Sequence, residues 1–155
     1  MQIRLATEED MESLVDLWLE LMEYTAGFDF LFKVDNEKRK SVEDFFMPLF
    51  AKAGSRIYIL ESNNRIVAML IGRIDHRPEV FSHRKIGYIA ETVVTKDFRG
   101  KHAGSEMVAA VHDWFREEKV DYCELQVAIR NESSMQFWKS NGYEPQLVRM
   151  THILK

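Results

Sequence analysis

The sequence contains little cysteine, proline and glycine, and it lacks long apolar runs. One cysteine, Cys123, stands among 155 residues, which excludes an internal disulfide and a multi-cysteine zinc site. Seven glycines and three prolines exclude a collagen-like or low-complexity chain. No apolar stretch approaches the roughly 18–20 residues of a membrane-spanning helix, and the N-terminus lacks the apolar core of a signal peptide. We therefore expect a cytoplasmic protein with no membrane partner.

The chain also lacks a basic excess. Lys and Arg total 21 and Asp and Glu total 25, giving a formal net charge of −4. Proteins that bind nucleic acid usually carry a basic surplus, so we expect no nucleic-acid partner. The five histidines show no close metal-ligand spacing, and we expect no metal site. The length and the 46% hydrophobic content indicate a single domain that covers residues 1–155.

Hydrophobic periodicity predicts an alternation of strands and helices in the order β, α, α, β, β, β, α, β, α, β. The second helix is expected from about Asn36 to Ala53, with a kink or break at Pro48. The alternating segment Arg149–Lys155 is expected to form the last strand. This mixture favours an α+β fold in which helices pack on a mixed sheet.

The most informative stretch is a strand that leads through a basic turn into a helix. The strand ends at Val94, and the turn Arg99–Gly104 precedes the apolar stripe of the helix. Backbone N–H groups at a helix start have no partner within the helix, so small residues there favour a phosphate or diphosphate ligand. Arg99 and Lys101 can add positive charge. The alternative is an ordinary glycine-containing turn with solvated basic residues.

Two motifs give the chain a resemblance to a known family. Val94 is followed at the fifth position by Arg99, and the turn continues through His102 to Gly104 and Ser105. A second motif begins at Asn131 after a predicted strand and ends at Gly142-Tyr143. Together they resemble the GNAT superfamily of acyl-CoA-dependent N-acyltransferases. The resemblance implies a mixed, mostly antiparallel sheet with about four helices, and acetyl transfer from acetyl-CoA to a primary amine.

The resemblance also implies a set of residues that bind acetyl-CoA. The strand backbone would hold the pantetheine arm, and the turn would hold the diphosphate. Asn131 could instead only cap its helix, and the Val side chains could be plain core. The implied cofactor-binding residues are Thr92, Val93, Val94, Arg99, Gly100, Lys101, His102, Ala103, Gly104, Ser105, Asn131 and Ser134.

Two residues are candidates for the proton transfers. Glu91 interrupts an apolar strand three residues before Val94, where the resemblance implies a catalytic carboxylate; the alternative is an outward or ion-paired side chain. Tyr88 is the leading candidate for a proton donor. Trp138 stands where many relatives have a tyrosine that acts as the acid, and an indole cannot take that role. His102 stands where a glycine is usual, which is costly only if that position needs a positive φ.

The resemblance implies that two loops line the acceptor side: residues 25–35 after the first helix and residues 75–84 before the fourth strand. The loop after the first helix is the more informative of the two. Phe28, Phe30 and Phe32 make this loop apolar, and Asp29 and Asp35 could meet a cation, which suggests a small-molecule or peptide amine. The aromatic residues could equally be core or the surface of a homodimer. The alternative function is a non-catalytic acyl-CoA-binding sensor or a structural module with the same fold. A role of Glu91 as a base would distinguish the enzyme from the binding module, because a module that only binds acyl-CoA needs no base.

Overall fold

The computed structural model describes residues 1–155 and contains five strands and four α-helices. Short 3₁₀ turns occur at Glu8–Asp10, Phe30–Phe32 and Lys96–Phe98. In chain order the main elements are β1 (Gln2–Leu5), α1 (Met11–Ala26), α2 (Arg39–Ala51), β2 (Ser55–Ser62), β3 (Arg65–His76), β4 (Lys85–Val94), α3 (Ala103–Glu117), β5 (Tyr122–Leu125) and α4 (Glu132–Ser140).

The strands form one sheet in the order β1-β2-β3-β4-β5. Neighbouring strands are antiparallel, except that β4 and β5 run parallel. Helices α1 and α2 cover one face, where Leu14 and Phe46 pack on Ile59 and Met69. Helices α3 and α4 cover the other face. This arrangement confirms the predicted α+β class with a mixed, mostly antiparallel sheet and four flanking helices.

A one-residue irregularity divides β4. Glu91 lies opposite Ile71 of β3, whereas Ile89 lies opposite the next residue, Gly72, so Ala90 is an extra residue on β4. The extra residue shifts the alternation of side chains, and Glu91 and Tyr88 therefore face the same side of the sheet although they are three positions apart. That side is the one covered by α1 and α2, because Val93 belongs to the same cluster.

The pairing of β4 with β5 is shorter than its pairing with β3. It begins at Ile86 opposite Tyr122 and ends at Ile89 opposite Leu125. The pairing with β3 continues to Val94. From Glu91 onward, the outer edge of β4 therefore has no partner strand.

Two predictions about individual elements are wrong. The expected break at Pro48 does not occur, since α2 continues through this exposed position to Ala51 and water can bind the carbonyl that loses its helical partner; the alternative, a kink at Pro48, stays a prediction. The segment Arg149–Lys155 forms no strand. Its alternation is real, but Met150 and Leu154 are 90% and 89% exposed, because the segment pairs with no neighbouring strand. None of the helices is long and apolar enough to span a membrane.

Candidate active site

A cleft of about 410 Å³ lies beside the unpaired end of β4. The end of β4, the start of α3, and parts of α1 and α4 form its walls. Ten of the predicted cofactor-binding residues line it, and Lys101 and Asn131 do not. The lining residues are Leu21, Tyr24, Thr92, Val93, Val94, Phe98, Arg99, Gly100, His102, Ala103, Gly104, Ser105, Ser133, Ser134, Phe137 and Trp138.

The start of α3 presents free backbone donors to this cleft. Glu106 is the first residue of α3 whose N–H bonds back into the helix, to the carbonyl of His102. The N–H groups of Ala103, Gly104 and Ser105 have no such partner, and no side chain caps the helix. Because the helix dipole adds positive charge at the same end, this turn suits a diphosphate.

The turn before α3 requires two left-handed residues. Gly100 has φ +75°, and His102, the residue before the helix, has φ +62°. The condition under which a histidine is costly here is therefore met, since a left-handed non-glycine residue costs about 1–2 kcal/mol. Histidine is among the residues that tolerate this region better than most. The imidazole of His102 leaves the backbone N–H groups at the start of α3 free, so the turn can still bind a phosphate.

Two further features of the cleft fit a bound acyl-CoA. A Cβ atom on Gly104 would lie 3.0 Å from the ring of Phe137, so a larger residue there would crowd the cleft. The hydroxyl of Thr92 is buried in the cleft wall without a hydrogen-bond partner. A buried unpaired polar group is costly, and an amide-bearing ligand would satisfy it.

The two basic residues of the turn behave differently. Arg99 bends back onto the cleft wall: its Nε donates to the carbonyl of Val94 at 2.9 Å, and its guanidinium lies 5.3 Å from the ring of Tyr24. Lys101 is exposed, with its ammonium 4.9 Å from the ring of Phe98. Arg99 thus stabilises the unpaired edge of β4 by its hydrogen bond to Val94, whereas Lys101 is free to reach a phosphate from outside the cleft.

Asn131 caps α4. Its Oδ1 accepts from the N–H of Ser134 at 3.1 Å and from the hydroxyl of Tyr24 at 3.5 Å. This is the alternative that the sequence left open, and the buried side chain keeps only its amide Nδ2 for a ligand. Ser134 lines the cleft directly. Tyr24 was not predicted as a site residue, because an exposed tyrosine at the end of a helix carries no sequence signal.

Glu91 is a largely buried carboxyl at the point where β4 becomes unpaired. Burial raises its pKa above the ordinary value, and the indole of Trp18 on α1 and the charge of Arg73 on β3 partly offset this rise. Its Oε2 is buried and has no hydrogen bond of normal geometry. The side chain is therefore neither turned outward nor ion-paired at close range, contrary to the alternative considered from the sequence.

Tyr88 lies on the same face as Glu91, and neither side chain lines the cleft, although Thr92, the neighbour of Glu91, does. The guanidinium of Arg73 lies 4.1 Å from the centre of its ring. Burial raises the pKa of the phenol, so Tyr88 is protonated at neutral pH and can donate.

Two other side chains that could donate a proton, His112 and Tyr143, lie away from the cleft. His112 Nε2 and the hydroxyl of Tyr143 are 2.7 Å apart, and both border a separate groove that also contains Cys123. This groove is larger, about 590 Å³, but neither the start of α3 nor Glu91 belongs to it. His112 is half-buried rather than fully solvated, and burial lowers the pKa of its imidazole.

The two acidic residues of the predicted acceptor loop differ in burial, although both accept a backbone hydrogen bond, Asp29 from Leu31 and Asp35 from Glu37. Asp29 is 8% exposed, caps the 3₁₀ turn through the N–H of Leu31, and is ion-paired with Arg149 of the C-terminal segment. It is therefore not available to a cationic ligand. Asp35 is exposed, and the aromatic rings of Phe30 and Tyr24 are partly open to solvent.

Known proteins resemble this chain in sequence and in fold. The family model described as the acetyltransferase (GNAT) family matches residues 11–143. An uncharacterized N-acetyltransferase of Methanocaldococcus jannaschii is 23% identical over 142 residues, which cover 92% of this chain and 60% of the relative. The chain thus spans less than two thirds of that relative's length.

Two solved structures share the fold. A predicted acetyltransferase of Clostridium acetobutylicum, solved with acetyl-CoA, superposes with a TM-score of 0.80 at 17% identity over 99% of this chain and 96% of that one. An aminoglycoside 6'-N-acetyltransferase of Acinetobacter haemolyticus has a TM-score of 0.79 at 16% identity, with all of both chains covered. Since the family model matches most of the sequence, the chain belongs to the GNAT family of acetyltransferases, whose co-substrate is acetyl-CoA.

Proposed function

We propose that this protein transfers the acetyl group of acetyl-CoA to a primary amine, which attacks directly while both substrates are bound. The observation that carries this proposal is the position of Glu91. Its buried, unpaired carboxyl lies where the outer edge of β4 becomes free, next to a cleft that suits an acyl-CoA. A protein that only binds acetyl-CoA has no use for a buried base at this point.

Different residues of the cleft would bind different parts of acetyl-CoA. The N–H groups of residues 103–105 would hold the diphosphate, with Lys101 adding charge from outside. The free edge of β4 from Thr92 to Val94 would bind the pantetheine arm in the manner of an added strand, with Ser134 and the Nδ2 of Asn131 opposite. When bound, acetyl-CoA supplies a thioester whose carbonyl carbon is open to attack by an amine.

Glu91 acts as the general base. An alkyl amine is protonated at neutral pH and must lose a proton before it can attack. Because burial raises the pKa of Glu91, its carboxylate is a stronger base than an exposed glutamate. The carboxylate accepts the proton of the amine, directly or through one water molecule.

Tyr88 is our candidate for the acid that protonates the departing thiolate. Trp138 has no transferable proton, and it packs against Phe137 and Tyr143 in the wall of the core. Tyr88 shares its face with Glu91, and its phenol is neutral at physiological pH. Replacing Tyr88 with Phe should lower kcat about tenfold and remove the alkaline limb of the pH–rate profile. An unaltered alkaline limb would remove Tyr88 from the mechanism.

The acceptor we propose is a small-molecule or peptide amine with an apolar body. The exposed rings of Phe30, on the loop after α1, and of Tyr24, near the end of α1, offer an apolar contact, and the net charge of −4 favours a cationic ligand. The structural relative from Acinetobacter haemolyticus acts, by its name, on an amine-bearing antibiotic. Because Asp29 is held by Arg149, we assign it no role in binding the amine.

The test is the variant Glu91→Gln, assayed by thiol release with a panel of primary amines. We expect kcat to fall about tenfold or more, while acetyl-CoA affinity measured by calorimetry stays the same. Glu117→Gln, an exposed change at the far end of α3, is the control and should match the wild type. An unchanged kcat in Glu91→Gln would remove Glu91 from the mechanism. Binding of acetyl-CoA without thiol release on any amine would favour the sensor function instead.

A further inference from the structure

The segment after α4, Glu144–Lys155, has no backbone partner and exposes its large apolar side chains. It belongs to no helix or strand, and it takes part in no backbone–backbone hydrogen bond. Five of its apolar side chains are between 62% and 94% exposed: Leu147, Val148, Met150, Ile153 and Leu154. Monomeric soluble proteins rarely expose so many apolar side chains together, and such patches usually mark an interaction surface.

The residue pattern of the segment is that of a strand. In an extended backbone, Val148, Met150 and Leu154 share one face, whereas Arg149 and Thr151 lie on the opposite face. A strand is stable only beside a partner strand. Within its own chain the segment pairs with no strand of the sheet.

A free sheet edge is present at β5. This strand is the last one of the sheet and pairs with β4 alone. No backbone hydrogen bond outside the sheet involves Tyr122–Leu125. Along the outer edge of β5, N–H and C=O groups are therefore available to a further strand.

The separate groove of about 590 Å³ lies beside β5. Its walls are β5, α3 and the first residues after α4. Phe115 of α3 and Cys123 of β5 line it, and both take part in the apolar packing under α3 and α4. A strand added to β5 would therefore direct one face of its side chains toward this groove.

Within one chain, the segment leaves this groove. Glu144 and Gln146 still line it, but Leu147 is 94% exposed, and Arg149 is ion-paired with Asp29 in the loop after α1. The apolar residues that could cover the groove thus lie outside it in their own chain.

A second copy of the chain supplies what each copy lacks. Every copy has one free edge at β5 and one unpaired segment with a strand pattern, so two copies related by a twofold axis can satisfy both. Charge favours the same partner. Residues 147–155 include two basic residues, Arg149 and Lys155, and no acidic one, whereas β5 carries the exposed Glu124.

We propose that the protein is a homodimer in which Leu147–Lys155 of each copy adds as a strand to the outer edge of β5 of the other copy. Backbone hydrogen bonds join the two strands, and the face that carries Val148, Met150 and Leu154 covers the groove. The groove and the acetyl-CoA cleft have no lining residue in common, so this inference does not depend on the proposed function.

The first test measures the mass of the protein in solution by light scattering during gel filtration. We expect the wild type at twice the chain mass of 18.3 kDa. Met150→Asp places a charge on the face that covers the groove and should raise the dimer dissociation constant at least about tenfold. Thr151→Asp, on the opposite face, is the matched control and should stay dimeric.

The fold should not change in either variant, because the segment makes no backbone hydrogen bond in its own chain, and far-UV circular dichroism checks this. A wild type that is monomeric at about 100 μM, well above the dissociation constant of a specific dimer, overturns the inference. A Met150→Asp variant that stays as dimeric as the wild type overturns it as well.

The second test identifies the chain that the segment contacts. Cys123 is the single cysteine of the sequence, and it lines the groove. In Met150→Cys, a short bis-maleimide should link position 150 of one copy to Cys123 of the other and give a covalent dimer. Met47→Cys, an exposed change on α2, is the control and should give no such link.

Mass spectrometry of the linked peptides decides between the two ways in which the segment could pair. A covalent dimer that contains the link between position 150 and Cys123 supports the exchange of strands between copies. The same link at the mass of a single chain would mean that the segment pairs with β5 of its own chain, and it overturns the inference. A covalent dimer without this pair of peptides also overturns it.

Discussion

The two halves of β4 differ in composition and in environment: Ile86–Ile89 carries no charge, whereas Glu91–Val94 begins with a carboxyl and a hydroxyl. From Ile86 to Ile89 the strand is paired on both sides, with β3 and with β5. From Glu91 to Val94 it is paired with β3 alone. In the first half, Gly87 allows the ring of Phe115 to lie so close that a Cβ would be 2.6 Å from it. In the second half, the free edge faces the cleft.

The difference shows how one strand can serve both the core and the site. The first half closes the sheet and supports α3. The second half keeps backbone donors and acceptors that no strand uses, and such groups can bind an extended ligand. The extra residue Ala90 marks the boundary and turns Glu91 to the same face as Tyr88.

The largest expected effect comes from proline at two neighbouring positions of β4, one whose N–H points to β3 and one whose N–H points to the cleft. The N–H of Thr95 bonds to Val67 on β3, so by alternation the N–H of Val93 points to β3 and that of Val94 points to the cleft. Val93→Pro should lower the free energy of unfolding by about 3 kcal/mol, because it removes a buried ladder bond. Val94→Pro should cost about 1 kcal/mol and weaken acetyl-CoA binding about tenfold.

Urea unfolding and calorimetry measure these two quantities, and Val94→Ala controls for the loss of the side chain. Equal destabilisation by the two prolines would mean that the outer edge of β4 is not free. Normal acetyl-CoA affinity in Val94→Pro would mean that the free edge does not bind the co-substrate.

A smaller effect is expected from Glu91→Gln on stability. Burial raises the pKa of Glu91 in the folded state, whereas the unfolded chain has the ordinary value of about 4.5. At pH values between these two pKa values, the folded protein binds more protons than the unfolded chain. The free energy of unfolding of the wild type therefore falls as the pH rises through this range. At pH 8 the Gln variant should therefore be more stable by about 1 kcal/mol, because a neutral amide costs less to bury than a carboxylate. Near pH 4 the advantage should disappear.

Unfolding in urea at pH 4 and pH 8 measures this difference. Glu117→Gln should show no such dependence, because its carboxyl is exposed. If the Gln variant is instead less stable than the wild type at pH 8, the charged carboxylate has favourable partners in the folded state. The second half of β4 would then lose no stability through its buried carboxylate.

Local sequence patterns predicted the parts of the site that lie close together along the chain. The strand, the turn from Arg99 to Gly104 and the start of α3 follow one another directly, so their spacing could carry the resemblance to the family. The irregularity at Ala90 was not predicted, because one extra alanine in an apolar strand has no distinctive pattern. The contact of Tyr24 with Asn131 joins residues 107 positions apart and depends on how α1 packs. The prediction of a strand at Arg149–Lys155 was wrong for a related reason, because an alternating segment forms a strand only where a partner strand exists.

The smallest expected effect is that of a glycine at His102, the residue before the helix that faces the free half of β4. At φ +62° a glycine avoids the steric cost of a side chain but loses more backbone freedom on folding. His102→Gly should therefore raise the free energy of unfolding by only about 0.5 kcal/mol, whereas the β-branched His102→Val should lower it by about 1–2 kcal/mol. Acetyl-CoA affinity should stay the same in the glycine variant, because the backbone N–H groups of α3 are the donors. A marked loss of affinity in that variant would instead assign phosphate binding to the imidazole.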